Sequence, residues 1–90
     1  MPRLRRTFLV VNTLGLHARA AAQLVQAANR YRSEILVERD EQSVNGKSIM
    51  GVLMLAAAKG SEIVVSCEGE DAEEAMASLA RLIENGFGER

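Results

Sequence analysis

The sequence predicts an α+β protein in which helices cover one face of a four-stranded antiparallel sheet. In several short segments apolar residues alternate with polar ones, which is typical of strands that bury one face. Other segments carry apolar residues at every third or fourth position, which is typical of amphipathic helices. Elements that each bury one side must pack as layers. A chain of 90 residues forms one small domain, so we predict a single domain over residues 1–90.

The first half of the chain is predicted to form three strands and one helix. The first strand is rich in β-forming residues, and the helix after it has apolar residues at i, i+3, i+4 and i+7 counted from Ala21. Polar residues at 40–42 make a turn. The predicted bounds are a strand at 7–11, a helix from 18 to 30 or 31, a strand at 34–39 and a short strand at 43–44.

A short helix and a fourth strand are predicted next. Ser48 can cap a helix over 49–53, with 54–58 as a candidate extension. Lys59-Gly60 is typical of a helix end. The strand at 62–68 alternates so that one of its faces is apolar.

The last helix is predicted from its cap and its apolar stripe. Asp71, with Glu74 three residues later, resembles a capping box. Apolar residues recur on one face from Ala72 to Ile83, and Gly86 ends the helix. The elements therefore follow in the order β-α-β-β-α-β-α.

Composition argues against several classes of function. A net charge of −1, with two phenylalanines and one tyrosine, does not favour a nucleic-acid-binding surface. Cys67 is the only cysteine, so no internal disulfide is expected, and we interpret it as a core residue rather than a reactive thiol. One histidine and one cysteine lack the spacing of metal ligands, so neither a metal site nor a cofactor is predicted.

No apolar stretch reaches the length of a membrane span, so no contact with a membrane is predicted. Arg3, Arg5 and Arg6 precede an apolar run that is too short for a signal peptide. We interpret these arginines as solvated charges at the end of the sheet remote from His17. The absence of disulfides fits a reducing compartment, and we expect a cytoplasmic monomer.

The candidate reactive group is His17, the only histidine, which lies between a strand and a helix just after Gly15. It occupies the predicted N-cap, where Ser, Thr, Asp or Asn is usual. The unpaired N–H groups and the positive dipole end of a helix favour an anion, above all phosphate. Arg19 can donate to phosphate oxygens. This group is typical of a histidine that accepts a phosphoryl group, although a lone histidine is more often a capping or surface residue.

The segment Gly15-Leu16-His17-Ala18-Arg19 resembles the active-site motif of the HPr family, the phosphocarriers of the bacterial phosphoenolpyruvate-dependent phosphotransferase system. A second segment, Lys47-Ser48-Ile49-Met50-Gly51-Val52-Leu53, resembles the segment around that family's regulatory serine. The spacing of the two motifs also matches, and the resemblance covers nearly the whole chain. The fold that it implies is an open-faced β-sandwich. Ala20 stands where the family usually has proline, and alanine keeps the helix possible while adding a free N–H donor.

The resemblance implies a phosphocarrier and not an enzyme. Phosphorylated enzyme I would transfer a phosphoryl group to Nδ1 of His17, and an enzyme IIA domain would then accept it for sugar uptake and regulation. Arg19 and the backbone N–H groups of Ala18 and Arg19 would hold the phosphate. Ser48 would be a regulatory phosphorylation site, with an HPr kinase/phosphorylase as a further partner.

Ser48 and the helix after it each have two interpretations. Ser48 can serve as a structural cap, as a regulatory site, or as both. The helix has more apolar residues than it can bury, namely Ile49, Met50, Leu53, Met54 and Leu55. Either all of them pack inward, or some are exposed and form a partner surface. We predict a partner surface that includes Ile49, Met50 and Leu53.

Two alternative functions remain open. A nitrogen-regulatory paralogue of HPr would carry phosphate to a regulatory relay. Residues 12–15, 53–55 and 85–87 resemble that branch, whereas residues 47–51 resemble the sugar branch. The other alternative belongs to a different class, a protein-interaction domain of similar topology that is not phosphorylated.

Overall fold

The computed structural model describes residues 2–89, and within that range it contains four strands, three α-helices and one short 3-10 turn. Their order agrees with the order predicted from the sequence. The elements are β1 (Arg3–Leu9), α1 (Ala18–Ala28), β2 (Glu34–Arg39), β3 (Gln42–Asn45), α2 (Ile49–Met54), β4 (Glu62–Glu68), α3 (Ala72–Glu84) and the 3-10 turn (Gly86–Gly88).

The strands form one antiparallel sheet in the order β1-β4-β2-β3. β4 is central and pairs with β1 on one side and with β2 on the other, while β3 extends the sheet beyond β2. α3 packs against β1 and β4, and α1 packs against α2 and α3. The predicted α+β class and the open-faced sandwich are confirmed.

The hydrophobic core lies between the sheet and the helix layer. β4 contributes Ile63, Val65 and Cys67, which are fully buried as its alternation predicted. Leu24 of α1 and Leu79 of α3 are equally buried. Burial raises the pKa of the Cys67 thiol to about 11, so the thiol stays protonated near neutral pH and is an inert core group.

Ser66 departs from the predicted alternation of β4, because it is buried although it lies on the face opposite Cys67. In the sheet register it stands between Arg5 of β1 and Leu36 of β2. Directly opposed residues on neighbouring strands share a face. The two longer side chains therefore cover a small one at the centre of the sheet.

The first strand begins earlier than predicted, at Arg3 instead of residue 7, and ends at Leu9 instead of residue 11. Pairing with β4 holds the charged residues in the strand, from Arg3 opposite Glu68 to Leu9 opposite Glu62. Val10 then leaves the sheet ladder, and its N–H donates to the Ser61 carbonyl oxygen at 2.9 Å. β3 is likewise longer than the predicted 43–44, because its pairing with β2 extends from residue 42 to residue 45.

The arginines of β1 are exposed, as predicted, and two of them form surface ion pairs. Arg5 contacts Glu38 at 3.2 Å and Arg6 contacts Glu84 at 3.5 Å. Exposed pairs of this kind add little stability. Charged side chains on an edge strand do, however, discourage pairing with other chains.

The first helix is shorter than predicted, and the second helix has its predicted residues 49–53 with only the first residue of the candidate extension. α1 ends at Ala28 rather than at residue 30 or 31, and the N–H groups of Arg30 and Tyr31 donate to carbonyl oxygens three residues back. α2 ends at Met54, so residues 55–58 do not extend it. Ala56 has a φ of 49°, outside the helical region, and the chain turns there so that Leu55 enters the core.

The predicted capping box at the start of α3 is wrong. Asp71 occupies the N-cap, but its side chain makes no capping hydrogen bond. Its carboxylate instead accepts from the N–H of Arg32 at 2.8 Å, from the N–H of Ser33 at 2.9 Å and from the Ser33 hydroxyl at 2.5 Å. Because β4 ends opposite the start of β2, the residues after β4 lie beside those before β2. The carboxylate therefore fixes the corner between α1 and β2.

The Asp71 contacts predict a pH-dependent stability. The hydrogen bond from the Ser33 hydroxyl and those from the backbone lower the pKa of Asp71 below its ordinary value of 3.8. A carboxyl group with a lowered pKa in the folded state stabilises the fold above its ordinary pKa, and this contribution is lost as pH falls through the folded-state pKa. We expect Asp71→Asn to lower the melting temperature at pH 7 and this difference to shrink below about pH 3.8.

Thermal unfolding of both proteins from pH 7 to pH 2 measures this effect. Glu74→Gln is the matched control, because Glu74 is exposed and belongs to the capping box that does not form. A melting difference for Asp71→Asn that stays constant with pH would contradict the assignment.

Candidate functional site

The loop that leads to His17 is seated against the backbone that follows α2. The Gly15 N–H donates to the Asn12 carbonyl oxygen at 3.1 Å, and the Leu16 N–H donates to the Ala57 carbonyl oxygen at 2.9 Å. Gly15 has a φ of +66°, and a Cβ at this residue would lie 2.5 Å from the Ala57 oxygen. Only glycine combines this conformation with this close approach. The loop therefore delivers His17 to a fixed position at the start of α1.

His17 is the N-cap of α1, as the sequence predicted. Its Nδ1 accepts a hydrogen bond from the Arg19 N–H at 3.3 Å, and its Nε2 lies 2.5 Å from Oε2 of Glu89. An N–H donor facing Nδ1 and a carboxylate facing Nε2 favour the neutral tautomer that carries its proton on Nε2. The lone pair of Nδ1 then points toward the helix start. The side chain is 25% exposed, so a reagent can reach the ring.

Glu89 is a site residue that sequence reasoning missed. Its Oε2 accepts from Nε2 of His17, and its Oε1 accepts from Nδ2 of Asn12 at 3.0 Å. The hydrogen bond from Asn12 lowers the pKa of Glu89 most; the hydrogen bond from His17 and the charge of Arg19 lower this pKa further, while burial opposes them. The carboxyl group is therefore ionised at neutral pH.

A tight turn after α3 positions Glu89 beside His17. Gly86, Phe87 and Gly88 all have positive φ values, of 62°, 58° and 75°. Phe87 is buried, with 3% exposure, and anchors the turn in the core. The signal in the sequence was an aromatic residue between two glycines after the end of the helix. It indicates a return to the core and not a frayed end.

The start of α1 presents further donors beside His17. Within residues 2–89, the N–H groups of Ala18 and Ala20 have no hydrogen-bond acceptor, whereas the N–H of Arg19 is engaged with Nδ1 of His17. The Arg19 guanidinium is exposed and makes no hydrogen bond or ion pair within the same range. Of the two backbone donors named from the sequence, one is thus free and one is occupied in this state.

Ser48 lies at the start of α2, where its hydroxyl accepts the Gly51 N–H at 3.1 Å. The predicted helix cap is thus present. The residue is partly exposed, and Lys47 beside it donates to the Tyr31 carbonyl oxygen at 2.7 Å.

The residues predicted as a partner surface divide between solvent and core. Ile49 and Met50 are exposed, whereas Leu53 is partly buried and packs against the core. Met54 is also exposed, and so is Leu14 in the His17 loop, at 68%. The exposed apolar surface of the His17 loop and α2, called here the apolar surface, consists of Leu14, Ile49, Met50 and Met54.

In the part of the chain from Pro2 to Glu89, no cluster of three or more histidine, cysteine, aspartate or glutamate side chains is arranged to hold a metal ion. No helix within that range is both long and apolar enough to cross a membrane.

Comparisons with known proteins bear on this arrangement. Residues 4–85 match the family model described as the PTS HPr component phosphorylation site. A phosphocarrier protein HPr of Neisseria meningitidis is 48% identical over 86 residues, covering 96% of this chain and 97% of that protein. One from Pseudomonas aeruginosa is 50% identical over 90 residues, covering 99% and 98%.

Solved structures give the same result. The crystal structure of an HPr from Thermoanaerobacter tengcongensis has a TM-score of 0.91 at 46% identity, and the match covers 100% of this chain and 99% of that one. An HPr from Bacillus anthracis has a TM-score of 0.87 at 43% identity and covers 92% and 99%. With matches over nearly the full length in both sequence and structure, the chain belongs to the HPr family of phosphocarrier proteins.

Proposed function

We propose that this chain accepts a phosphoryl group on Nδ1 of His17 from phosphorylated enzyme I and passes it to enzyme IIA proteins for sugar uptake and regulation. The observation that carries the proposal is the orientation of His17, whose Nδ1 lone pair faces a helix start with unpaired N–H groups. The chain would act as a substrate of other proteins and not as an enzyme. It would do so as one cytoplasmic, monomeric domain spanning residues 1–90.

The transfer step needs little covalent chemistry from this protein. The Nδ1 lone pair forms a bond to phosphorus while the bond from phosphorus to the donor breaks, and the donor atom keeps the electron pair. The Arg19 N–H must leave Nδ1 as that bond forms. It can then join the free Ala18 N–H in donating to phosphate oxygens, where the helix dipole also favours negative charge. The exposed Arg19 guanidinium can add a charge-assisted contact.

The apolar surface supports a docking role beside His17. The side chains of Met50 and Met54 are 71% and 63% exposed, so they contribute little to the packing of the core. Exposed apolar side chains that lie together are typical of a surface that binds a partner. The loop that carries Leu14 and His17 is hydrogen-bonded to the segment after α2, so the apolar surface and the reactive ring belong to one rigid region. Methionine adapts to partners of different shape, which suits a carrier that must meet both a donor and an acceptor.

Ser48 supports a regulatory role at the same surface. Its hydroxyl opens α2, which displays Ile49 and Met50, and the residue is partly exposed. A phosphate added by an HPr kinase/phosphorylase would lie at a helix start, where added negative charge is tolerated in the free protein. It would also lie at the edge of the surface that a partner covers.

The first test of the proposal is His17→Ala. We expect this change to abolish phosphoryl acceptance and to leave the fold intact, because the side chain lies at a helix start and not in the core. Incubation with phosphoenolpyruvate and enzyme I, followed by mass measurement, gives the readout, and thermal unfolding gives the control. The wild-type label should be lost in acid, as a phosphoramidate is. A label that survives acid, or a labelled His17→Ala protein, would contradict the role of His17.

The second prediction concerns Arg19→Ala. The guanidinium is exposed, so we expect the free energy of unfolding to change by less than about 0.5 kcal/mol. A charge-assisted contact to phosphate contributes about 1.5–3 kcal/mol, so transfer from enzyme I should slow by about 10- to 100-fold. Stopped-flow or quench measurement of the transfer rate tests this prediction. Equal rates for the two proteins would remove Arg19 from the site.

The third prediction separates charge from capping at Ser48. Aspartate is also a good N-cap, and a negative charge at a helix start is favoured by roughly 0.3–1 kcal/mol, so Ser48→Asp should hold or raise the melting temperature. The same charge would have to lose water when a partner covers the apolar surface, which is unfavourable. Affinity for enzyme I should therefore fall.

Ser48→Ala is the matched control for this measurement. It removes the capping oxygen, costs about 1 kcal/mol of stability and adds no charge, so affinity for enzyme I should be retained. If titration of enzyme I gives the same affinity for Ser48→Asp as for wild type, the docking surface lies elsewhere on the molecule.

A further inference from the structure

We propose that Glu89 is a positioning residue for phosphoryl transfer: it holds the proton of His17 on Nε2 and stabilises the positive charge that the ring acquires as Nδ1 bonds to phosphorus. The inference rests on the proposed function of His17. It concerns a residue outside both sequence motifs and outside the residues that match the family model, which end at residue 85.

Asn12 fixes the orientation of the Glu89 carboxylate. Its Nδ2 lies 2.8 Å from the Gly15 carbonyl oxygen and 3.0 Å from Oε1 of Glu89, and both partners can only accept. Turning the amide over would set its oxygen against two acceptors. The amide orientation is therefore determined, and Asn12 is buried, with 2% exposure, so water does not compete for these bonds.

The orientation of the Glu89 carboxylate determines which ring nitrogen of His17 carries the proton. With Oε1 held by Asn12, the remaining oxygen of Glu89, Oε2, faces Nε2 of His17. An ionised carboxylate can only accept, so the Nε2–H donates to it. Nδ1 is then unprotonated, in agreement with its contact to the Arg19 N–H. The chain of contacts from Gly15 through Asn12 and Glu89 thus places the reactive lone pair on Nδ1.

The Glu89 carboxylate also acts electrostatically on the ring of His17 during transfer. When Nδ1 shares its lone pair with phosphorus, the proton stays on Nε2 and the ring becomes positively charged. A carboxylate hydrogen-bonded to the opposite ring nitrogen stabilises such an imidazolium, as the aspartate does in a serine-protease triad. Glu89 is well placed for this, because its side chain is only 15% exposed. The incoming phosphoryl group adds negative charge on the other side of the ring, where Arg19 and the helix start lie.

The strained turn after α3 is consistent with a functional position for Glu89. Phe87 adopts a positive φ, which costs energy for a residue other than glycine. Its ring is buried and fixes the turn, and the next residue but one carries the carboxylate. The turn therefore delivers Glu89 to a defined place instead of leaving it on a free tail.

The decisive variants are Glu89→Gln and Glu89→Ala. In Glu89→Gln, the amide oxygen must face Asn12, so the amide NH₂ faces Nε2 of His17 and favours the wrong tautomer, with the proton on Nδ1. Glu89→Ala removes the carboxylate but imposes no wrong donor. We therefore expect the conservative change to glutamine to be at least as damaging as the change to alanine. A residue with a merely structural role would show the opposite order.

Two measurements on the full chain test the inference. ¹⁵N NMR of the ring nitrogens at pH 8 reports the tautomer without any partner protein: wild type should carry its proton on Nε2, and Glu89→Gln should shift toward Nδ1. Transfer from phosphorylated enzyme I should slow by about 10- to 100-fold in both variants, the loss found when a carboxylate that orients a metal-binding histidine is removed. Glu84→Gln is the matched control, because Glu84 is exposed, contacts Arg6 and should leave both readouts unchanged.

The outcomes separate the two proposals. If wild type accepts no phosphoryl group, the proposed function fails, whereas the NMR measurement still tests the role of Glu89. If wild type accepts the group and Glu89→Gln keeps both the wild-type tautomer and the wild-type rate, the role of Glu89 is overturned. A slowed Glu89→Gln with a shifted tautomer and an unchanged melting temperature supports it.

Discussion

The hydrogen bond from the Leu16 N–H to the Ala57 carbonyl oxygen is the contact on which the site depends. It joins the loop before α1 to the segment after α2 close to His17, and the hydrogen bonds between Val10 and residues 60–61 join the same two parts of the chain farther from the ring. The absence of a side chain at Gly15 allows the approach. Because the loop is seated in this way, the ring of His17, the start of α1 and the apolar surface have fixed relative positions. In the proposed function, one ring nitrogen would be presented to different partners, and this requires a rigid site more than it requires a pocket.

Asn12 shows what the arrangement costs in stability. Within residues 2–89, its Oδ1 is buried and has no hydrogen-bond partner, and a buried unsatisfied group of this kind costs about 1–3 kcal/mol. Both hydrogens of its Nδ2 are used, one on the loop and one on Glu89. The Asn12 amide thus leaves its oxygen without a hydrogen bond while its NH₂ group orients the Gly15 carbonyl and the Glu89 carboxylate. Unsatisfied buried groups are rare and call for an explanation, and the orientation of Glu89 toward His17 provides one here.

The sequence predicted those parts of the fold that local patterns determine. β2 and β4 have the bounds that were predicted for them, because a strand's alternation depends on its own residues and its buried face. The start of β1 was missed because its arginines interrupt the alternation of apolar and polar residues. The pairing with β4 is what places these residues in a strand. Asp71 was misassigned because its carboxylate could accept from the N–H groups at the start of α3 or from N–H groups far away in the sequence. The sheet register brings the N–H groups of Arg32 and Ser33 next to it, and it binds those.

For the candidate site, too, local patterns predicted some residues and missed others. His17 at the helix start and the cap at Ser48 follow from neighbouring residues, and both positions were predicted. Leu53 was placed outward with Ile49 and Met50, but a six-residue helix has one inner face, and Leu53 lies partly on it. Glu89 contacts His17, which is 72 residues away in the sequence, through a turn of three positive φ values. The Gly-Phe-Gly pattern indicates the turn, but no local pattern identifies His17 as the partner of Glu89.

Ala20 is the residue of the helix start at which this chain departs from the HPr motif. At this position the HPr motif usually has proline, which has no N–H, whereas here the N–H is present and, within residues 2–89, has no acceptor. In the proposed phosphorylated state, the start of α1 would therefore meet the phosphate with a donor that proline cannot supply. This donor would add to anion binding at the helix start, and the alanine side chain is fully buried in the core. The difference from the motif thus places one more N–H donor at the end of α1 that would face the phosphoryl group.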